Sequence, residues 1–184
     1  MSRVPLVCDD HFDPIVELAA AFLKARGAEL PDLYRLLANT PDLLKGWMDM
    51  MWPLRDAKWI PTALREILIM DIALLQGARY DWCRHWPTAL SAGIAEEKLL
   101  ALRKWRQSEL FDGKERAALE FAEGVFFNGR VPNEIYENFS KYFTAPEIVA
   151  IGVTAALYSG IVRFTQAFEL GPEPSHEAFG EMLR

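Results

Sequence analysis

Apolar residues recur at helical spacing along nearly the whole chain, and no stretch alternates apolar and polar residues as a half-buried strand would. This pattern predicts an all-α fold, a compact bundle of about eight or nine helices. The predicted helices span residues 13–26, 31–39, 41–52, 61–76, 79–92, 95–107, 113–128, 132–143 and 145–170.

Start and stop signals mark the ends of several of these helices. Proline stands in the first turn of three helices, where its missing N–H costs no hydrogen bond, at Pro31, Pro41 and Pro61. Capping-box spacing occurs twice, at Asp112–Glu115 and Thr144–Glu147. Glycine falls where four helices should end, at Gly27, Gly77, Gly93 and Gly171. These signals support the predicted helix boundaries.

Length and composition are typical of one globular domain. The chain has 184 residues, of which 51% are apolar and 25% are charged. A chain of this size buries about 70% of the surface that it exposes when unfolded, so it needs no disulfide or metal to hold a core. We expect a core over about residues 30–171, a helical arm over about residues 1–29, and a loose tail after Gly171-Pro-Glu-Pro174.

Charge, cysteine content and hydropathy exclude several classes of protein. The net charge of −6, with no basic run, argues against nucleic-acid binding. Cys8 and Cys83 lie far apart and make neither a disulfide framework nor a four-ligand zinc site. The first 14 residues carry acids where a signal peptide would be apolar, and no apolar run reaches the roughly 18 residues of a membrane span. The sequence therefore predicts a cytoplasmic protein that binds neither nucleic acid nor membrane.

Candidate chemistry is concentrated in two helices separated by Gly77. The largely apolar helix 61–76 is interrupted by Arg65 and Glu66, and helix 79–92 carries Asp81 and His85 at i,i+4 spacing on one face. If the second helix folds back at Gly77, Glu66 lies 11 residues before the turn and His85 lies 8 residues after it. Their heights along the helix pair then differ by only about 5 Å. A Glu, an Asp and a His are therefore expected to converge as an acid–base group in an apolar wall.

A longer motif runs through the same two helices. Its residues are Arg65-Glu66, then Tyr80-Asp81-Trp82-x-x-His85-x-x-x-Ala89-x-x-x-Gly93, then Ala95-Glu-Glu. It resembles the core signature of the carboxymuconolactone decarboxylase family, which belongs to the AhpD-like superfamily of all-α proteins. The resemblance covers about residues 30–171 and includes Tyr158 and Arg163, which fit a Tyr-x-x-x-x-Arg pattern.

The cysteine positions separate two branches of this superfamily. The alkylhydroperoxidase branch uses a Glu, a Cys-x-x-Cys pair and a His. By spacing, Glu66 and His85 match that Glu and His, whereas Ala78 and Asp81 stand at the two cysteine positions. The peroxidatic dithiol is therefore absent, and Cys83 lies outside the pattern. The decarboxylase branch usually has a Glu where this chain has Asp81.

The resemblance implies a cofactor-free, metal-free lyase of the decarboxylase type. Its substrate would be a small carboxylate, namely an unsaturated lactone derived from aromatic-acid catabolism. His85 would act as the general acid and base, Glu66 as its relay partner and Asp81 as the orienting carboxylate. Each of the three also has a structural alternative. His85 would simply be bonded to Asp81, and Glu66 would pair with Arg65 or Arg79 at the solvent margin. Asp81 would be an N-terminal acid favoured by the helix dipole.

Five further side chains are candidates for substrate binding. The aromatic wall would come from Trp82 and Trp86, and the substrate's acid would bind one of Arg65, Arg79 and Arg163. The alternatives are that both tryptophans belong to the core and that Arg163 pairs with a core or interface acid.

Two other functions stay open, as does the oligomeric state. One is a hydroperoxide reductase that relies on Cys83 alone, and the other is a non-catalytic oligomeric binding protein on the same fold. Apolar faces on nearly every helix, with six Trp and eleven Phe, predict a homo-oligomer. The resemblance implies that a trimer or hexamer is favoured.

Overall fold

The computed structural model describes residues 2–8, 13–24, 29–55 and 58–183, except for the side chain of Phe22. All regular structure in these residues is helical, which confirms the all-α fold class. The α-helices are α1 (Pro14–Lys24), α2 (Asp32–Leu37), α3 (Pro41–Arg55), α4 (Thr62–Gln76), α5 (Arg79–Ser91), α6 (Glu96–Ala101), α7 (Gly113–Asn128), α8 (Asn133–Ser140) and α9 (Ala145–Ala167). Two 3₁₀ segments, Leu102–Gln107 and Pro174–Leu183, complete the described structure.

Helix α4 is the centre of the bundle and packs against α5, α7 and α9. It is apolar around most of its circumference, so it buries ten consecutive residues, 64–73. Gly77 ends it in the left-handed conformation, with φ at 65°. The N–H of Ala78 then bonds the carbonyl of Ala73 at 2.8 Å, which closes a Schellman turn. This two-residue connection folds α5 back along α4, as the sequence predicts.

Helices α1 to α3 form a second layer with a small apolar core of its own. The main core lies among α4 to α9. Leu37 and Trp47 pack against both clusters and so connect the layer to the main core. We call α1 to α3 the N-terminal layer.

The C-terminal tail is ordered, in contrast to the loose tail that the sequence predicts. Its Pro174–Leu183 segment packs along α5, and the ring of Trp86 stacks on Phe179 with centroids 6.4 Å apart. Glu173 accepts hydrogen bonds from the N–H of Asp32 and the hydroxyl of Tyr80, both at 3.1 Å. The tail therefore joins α5 to the start of α2.

Several helix boundaries differ from the prediction. Helix α3 continues through Pro53 to Arg55 instead of ending at 52. The predicted helix 95–107 is α-helical only to Ala101 and then tightens into 3₁₀ geometry, with a non-helical residue at Lys104. Helix α9 ends at Ala167, because Glu169 takes a positive φ of 53°. The predicted end of the first helix and the stop signal at Gly27 lie outside the described residues.

Helix α9 is the one described helix long and apolar enough to cross a membrane. Length and composition alone make this weak evidence, since the core helix of a globular protein passes the same test. Half of its most apolar window is buried, and it packs against α4 and α7. Its apolar character is therefore accounted for by the bundle core.

Candidate acid–base site

Glu66 and His85 meet between α4 and α5. Nδ1 of His85 lies 2.7 Å from Oε2 of Glu66, and the Glu66 carboxylate is 1% exposed. The tight turn at Gly77 sets the register of the two helices and so brings these residues side by side. The convergence of Glu66 and His85 is the one that their spacing predicts.

Arg65 holds the other oxygen of the same carboxylate. Nε and Nη2 of Arg65 donate to Oε1 of Glu66 at 3.2 and 3.1 Å, and Nη1 donates to the carbonyl of Arg55 at 2.6 Å. Burial opposes ionisation of Glu66, but the charges and hydrogen bonds of His85 and Arg65 outweigh it and lower the pKa of Glu66. Glu66 is therefore a fixed carboxylate that sets the orientation of the His85 ring.

Asp81 is buried close to this pair but makes a different bond. Its Oδ2 accepts a hydrogen bond from the Thr165 hydroxyl on α9 at 2.6 Å. Burial raises the pKa of Asp81, although the Thr165 bond and the His85 charge act against this shift. Glu66, and not Asp81, is therefore the carboxylate in hydrogen-bond contact with Nδ1 of His85. The i,i+4 spacing placed Asp81 correctly on the His85 face but could not show which partner its carboxylate would take.

A small cavity lies beside His85, between the N-terminal layer and the main core. Its volume is about 20 Å³, room for about one water molecule. From the N-terminal side it is lined by Leu33, Tyr34, Trp47, Met51 and Arg55, and from α5 and α9 by Tyr80, Asp81, Arg84, His85, Tyr158 and Ile161. Aromatic rings and two arginines therefore surround the histidine.

Arg55 and Tyr158 complete the arrangement around His85. The Tyr158 ring meets the His85 ring edge to face at 5.3 Å, and Arg55 lies in the same cavity wall. Burial raises the pKa of Tyr158 to about 12, with Arg55 opposing the shift. Tyr158 stands in the Tyr-x-x-x-x-Arg pattern, which could have identified it. Arg55, at the end of an unrelated helix, carries no spacing signal that links it to His85.

Other predicted substrate residues lie away from the cavity. Trp82 and Trp86 project from α5 toward the tail, where Nε1 of Trp82 donates to the carbonyl of Phe179 at 3.1 Å. Arg79 also faces the tail, with Nη2 at 3.8 Å from Oε1 of Glu177. The structure therefore places these three side chains on the tail side of α5.

Arg163 and Arg65 are not part of the cavity wall either. The Arg163 guanidinium stacks over the Phe126 ring at 4.5 Å and donates to the carbonyl of Ser159. Arg65 contacts the site through Glu66 and through the backbone carbonyl of Arg55. The cations that line the cavity are Arg55 and Arg84, which sequence spacing did not select.

Cys83 is buried on α5 and separated from the acid–base pair. Burial raises the pKa of its thiol to about 11, so the thiolate is scarce near neutral pH. Within the described part of the chain, no three His, Cys, Asp or Glu side chains are grouped to hold a metal ion.

Comparison with known proteins supports the resemblance seen in the sequence. A model of the carboxymuconolactone decarboxylase family matches residues 41–124, which include Arg65, Glu66, Asp81 and His85. The chain is 24% identical over 111 residues to the uncharacterized protein YdfG of Bacillus subtilis, across 59% of this chain and 75% of that protein.

Two solved structures share the fold along almost their whole length. The first is the alkylhydroperoxidase AhpD core of a peroxidase-related protein from Ralstonia eutropha, with a TM-score of 0.82 at 16% identity, over 97% of this chain and 96% of that one. The debrominase Bmp8 gives a TM-score of 0.78 at 20% identity, over 93% and 92% of the two chains. Residues 41–124 therefore match the carboxymuconolactone decarboxylase family, and the chain shares its fold with these two solved structures.

Proposed function

We propose that this protein is a cofactor-free lyase that decarboxylates a small, unsaturated carboxylate, with His85 as the general acid and base. A lactone derived from aromatic-acid catabolism is the substrate that the family suggests. The observation that carries the proposal is the 2.7 Å contact between His85 and Glu66, at a cavity lined by aromatic rings and two arginines. A positioned proton donor of this kind accelerates a reaction by about 10²- to 10⁴-fold.

The proposed reaction uses the substrate itself as the electron sink. The bond between the carboxyl group and its carbon breaks, CO₂ leaves, and the electron pair spreads into the conjugated lactone as a dienolate. His85 then gives a proton to carbon, so that one carboxylate and one proton yield CO₂ and the protonated product. Because Nδ1 faces Glu66, Nε2 is the nitrogen that exchanges the proton with the ligand.

Glu66 has a narrower role in this proposal than a proton relay. Its pKa is lowered by His85 and Arg65 in spite of burial, so it stays ionised at neutral pH. A permanent carboxylate orients the ring and stabilises the imidazolium, but it does not take up the proton. Asp81, bonded to Thr165, serves to tie α5 to α9 beside the site.

Neither alternative function is favoured by a feature of the site. A hydroperoxide reductase would need a reactive thiol, whereas Cys83 is buried and burial raises its pKa to about 11. A protein that only binds its ligand would not need the buried Arg65–Glu66 ion pair to contact His85 in the cavity wall.

We also propose that the enzyme is a cytoplasmic homo-oligomer. An apolar groove between α3 and α9 is lined by Met50, Trp59, Val149 and Val153, each of which is at least 37% exposed in one chain. Such a patch is typical of an interface. Light scattering at low micromolar concentration should give a multiple of 20.9 kDa, and a mass of one chain would contradict this proposal.

The activity itself can be tested with carboxylated unsaturated γ-lactones in D₂O. Release of CO₂ and incorporation of deuterium at carbon should occur in equal amounts, without added cofactor or dithiol and in the presence of a chelator. Failure to release CO₂ from any such lactone would remove the decarboxylase proposal. Loss of turnover after dialysis against a chelator would instead indicate a metal-dependent enzyme.

A further inference from the structure

The indole N–H of Trp47 is a buried donor without an acceptor. Its Nε1 has no hydrogen-bond partner among the described residues, and an indole nitrogen can only donate. Three other indoles do have acceptors, with Trp52 bonded to Tyr34, Trp82 to Phe179 and Trp105 to Glu123. Leaving a buried donor unpaired costs free energy, so we expect this donor to bind an acceptor atom of a molecule that enters the adjoining cavity.

Trp47 lines the same cavity as His85, but from the opposite side. It belongs to α3, as does Arg55, and both residues form part of the cavity wall. Arg55 shares this wall with Tyr158, whose ring meets the His85 ring edge to face. The N-terminal layer thus supplies one neutral donor and one cation, while α4 and α5 supply the acid–base pair.

The chemistry of the proposed function decides which substrate oxygen these donors suit. During decarboxylation, negative charge leaves the carboxylate and develops on the conjugated carbonyl oxygen. Donors on the leaving carboxylate would stabilise the reactant more than the transition state and slow the reaction. Donors on the carbonyl oxygen stabilise the charge that is forming.

We propose that Trp47 Nε1–H and the Arg55 guanidinium bind the carbonyl oxygen of the substrate and stabilise it as an enolate. The inference rests on the proposed function and names the class of its substrate, a carboxylate conjugated to a carbonyl group. Since the cavity holds about 20 Å³, binding of such a ligand requires the N-terminal layer to move away from α5 and α9. The bound ligand then bridges the two layers, with the oxygen on α3 and the reacting carbon at His85.

The test uses 4-nitrophenolate as a stable mimic of the enolate and 4-nitrotoluene as the same shape without the oxygen. In the full-length protein, 4-nitrophenolate should move the Trp47 indole N–H proton resonance downfield, and 4-nitrotoluene should not. That resonance is assigned by its loss in Trp47→Phe. Trp59→Phe, a substitution of a partly exposed tryptophan in the groove between α3 and α9, is the matched control.

The variant should weaken 4-nitrophenolate binding by about 10-fold or more, the usual effect of losing one hydrogen bond to a charged group. Bound 4-nitrophenol should also ionise at a lower pH in the wild type than in Trp47→Phe. An unmoved indole resonance, equal affinity in wild type and variant, or no binding at all would each overturn the inference. These readouts need no turnover, so they are independent of the loss of activity in His85→Ala that tests the proposed function.

Discussion

Helix α4 carries two deeply buried carboxylates that behave in opposite ways. Glu66 and Asp71 are both 1% exposed and lie five residues apart on the same helix. The pKa of Glu66 is lowered, because His85 and Arg65 outweigh the effect of burial. The pKa of Asp71 is raised well above its usual range, first by burial and then by the charge of Glu123.

The surroundings of Asp71 explain the difference. The nearby Glu123 accepts hydrogen bonds from Trp105 at 2.7 Å and from Arg106 at 3.1 and 2.5 Å, which satisfies Glu123 but leaves Asp71 without a cation of its own. Oδ2 of Asp71 is buried without a hydrogen-bond partner among the described residues. Both features disfavour the charged form, so the pKa of Asp71 is raised.

Burial alone therefore does not distinguish the candidate catalytic carboxylate, Glu66, from Asp71. Both carboxylates would stand out equally as acids in an apolar segment. Of the two, Glu66 alone has a histidine on the facing helix and an arginine beside it. These partners stabilise a buried negative charge that would otherwise be unfavourable. Substitution of His85, Glu66 and Asp71 in turn tests this difference.

The largest effect should come from His85→Ala. We expect turnover to fall by about 10²- to 10⁴-fold, because the variant loses the positioned proton donor. His176→Ala, the same substitution in the tail, should retain activity. Rates are compared after circular dichroism has shown that both variants are folded. Full activity in His85→Ala would show that the Glu66–His85 pair has only a structural role. The difference between Glu66 and Asp71 would then have no bearing on function.

Glu66→Gln should destabilise the fold by about 3–5 kcal/mol, since it leaves Arg65 buried without its countercharge. Glu169→Gln is the matched control, because it breaks an ion pair with Arg3 whose side chains are 57% and 62% exposed. That exposed pair should contribute less than about 1 kcal/mol. Urea unfolding at pH 7 measures both variants, and equal losses would contradict the difference drawn between buried and exposed pairs.

The same variant has a defined pH dependence. A lowered pKa means that the Glu66 carboxylate stabilises the fold above its usual value of 4.5, and that this contribution disappears as the pH falls through the lower value of the folded state. The difference in free energy of unfolding between the wild type and Glu66→Gln should therefore become smaller at acid pH. A difference that stays constant down to the acid transition would argue against an ionised Glu66.

Asp71→Asn should show the opposite trend. A raised pKa means that the folded state holds its proton more tightly than the unfolded chain, so wild-type stability falls as the pH rises from the usual value of 3.8 toward the folded value. The slope due to this one group is at most about 1.4 kcal/mol per pH unit. Urea unfolding should thus show that the free energy of unfolding of Asp71→Asn, relative to that of the wild type, is higher at pH 7 than at pH 4.5. A difference that does not change with pH would place Asp71 in an unperturbed environment.

The sequence predicts the parts of this site that depend on local periodicity. The Gly77 turn and the positions of Glu66 and His85 follow from counting residues along two helices, and the structure places both side chains in contact. The fold class follows in the same way from apolar spacing. Local periodicity is enough because α4 and α5 are joined by only two residues.

Contacts between distant segments could not be predicted in this way. Arg55 reaches the cavity from the N-terminal layer. Thr165 is bonded to Asp81, although the two residues are 84 positions apart in the sequence. Trp82 and Trp86 face a tail whose composition gave no sign of order, so they could not be recognised as core residues of that contact. Which partner a side chain takes depends on helix packing, and one sequence without its relatives carries little information about packing.

The smallest effect on activity should come from Cys83→Ser, which should leave most of the turnover intact. Cys83 is two residues from His85 on α5, so it points to a different side of the helix, and burial raises its pKa to about 11. Cys8, which is exposed, provides an internal control for thiol reactivity. At pH 8 a disulfide reagent should modify Cys8 rapidly and Cys83 only as the protein unfolds, while the decarboxylation rate stays unchanged. If Cys83→Ser is folded but inactive while His85→Ala turns over substrate, the buried pair on α4 and α5 is structural, and the thiol carries the chemistry.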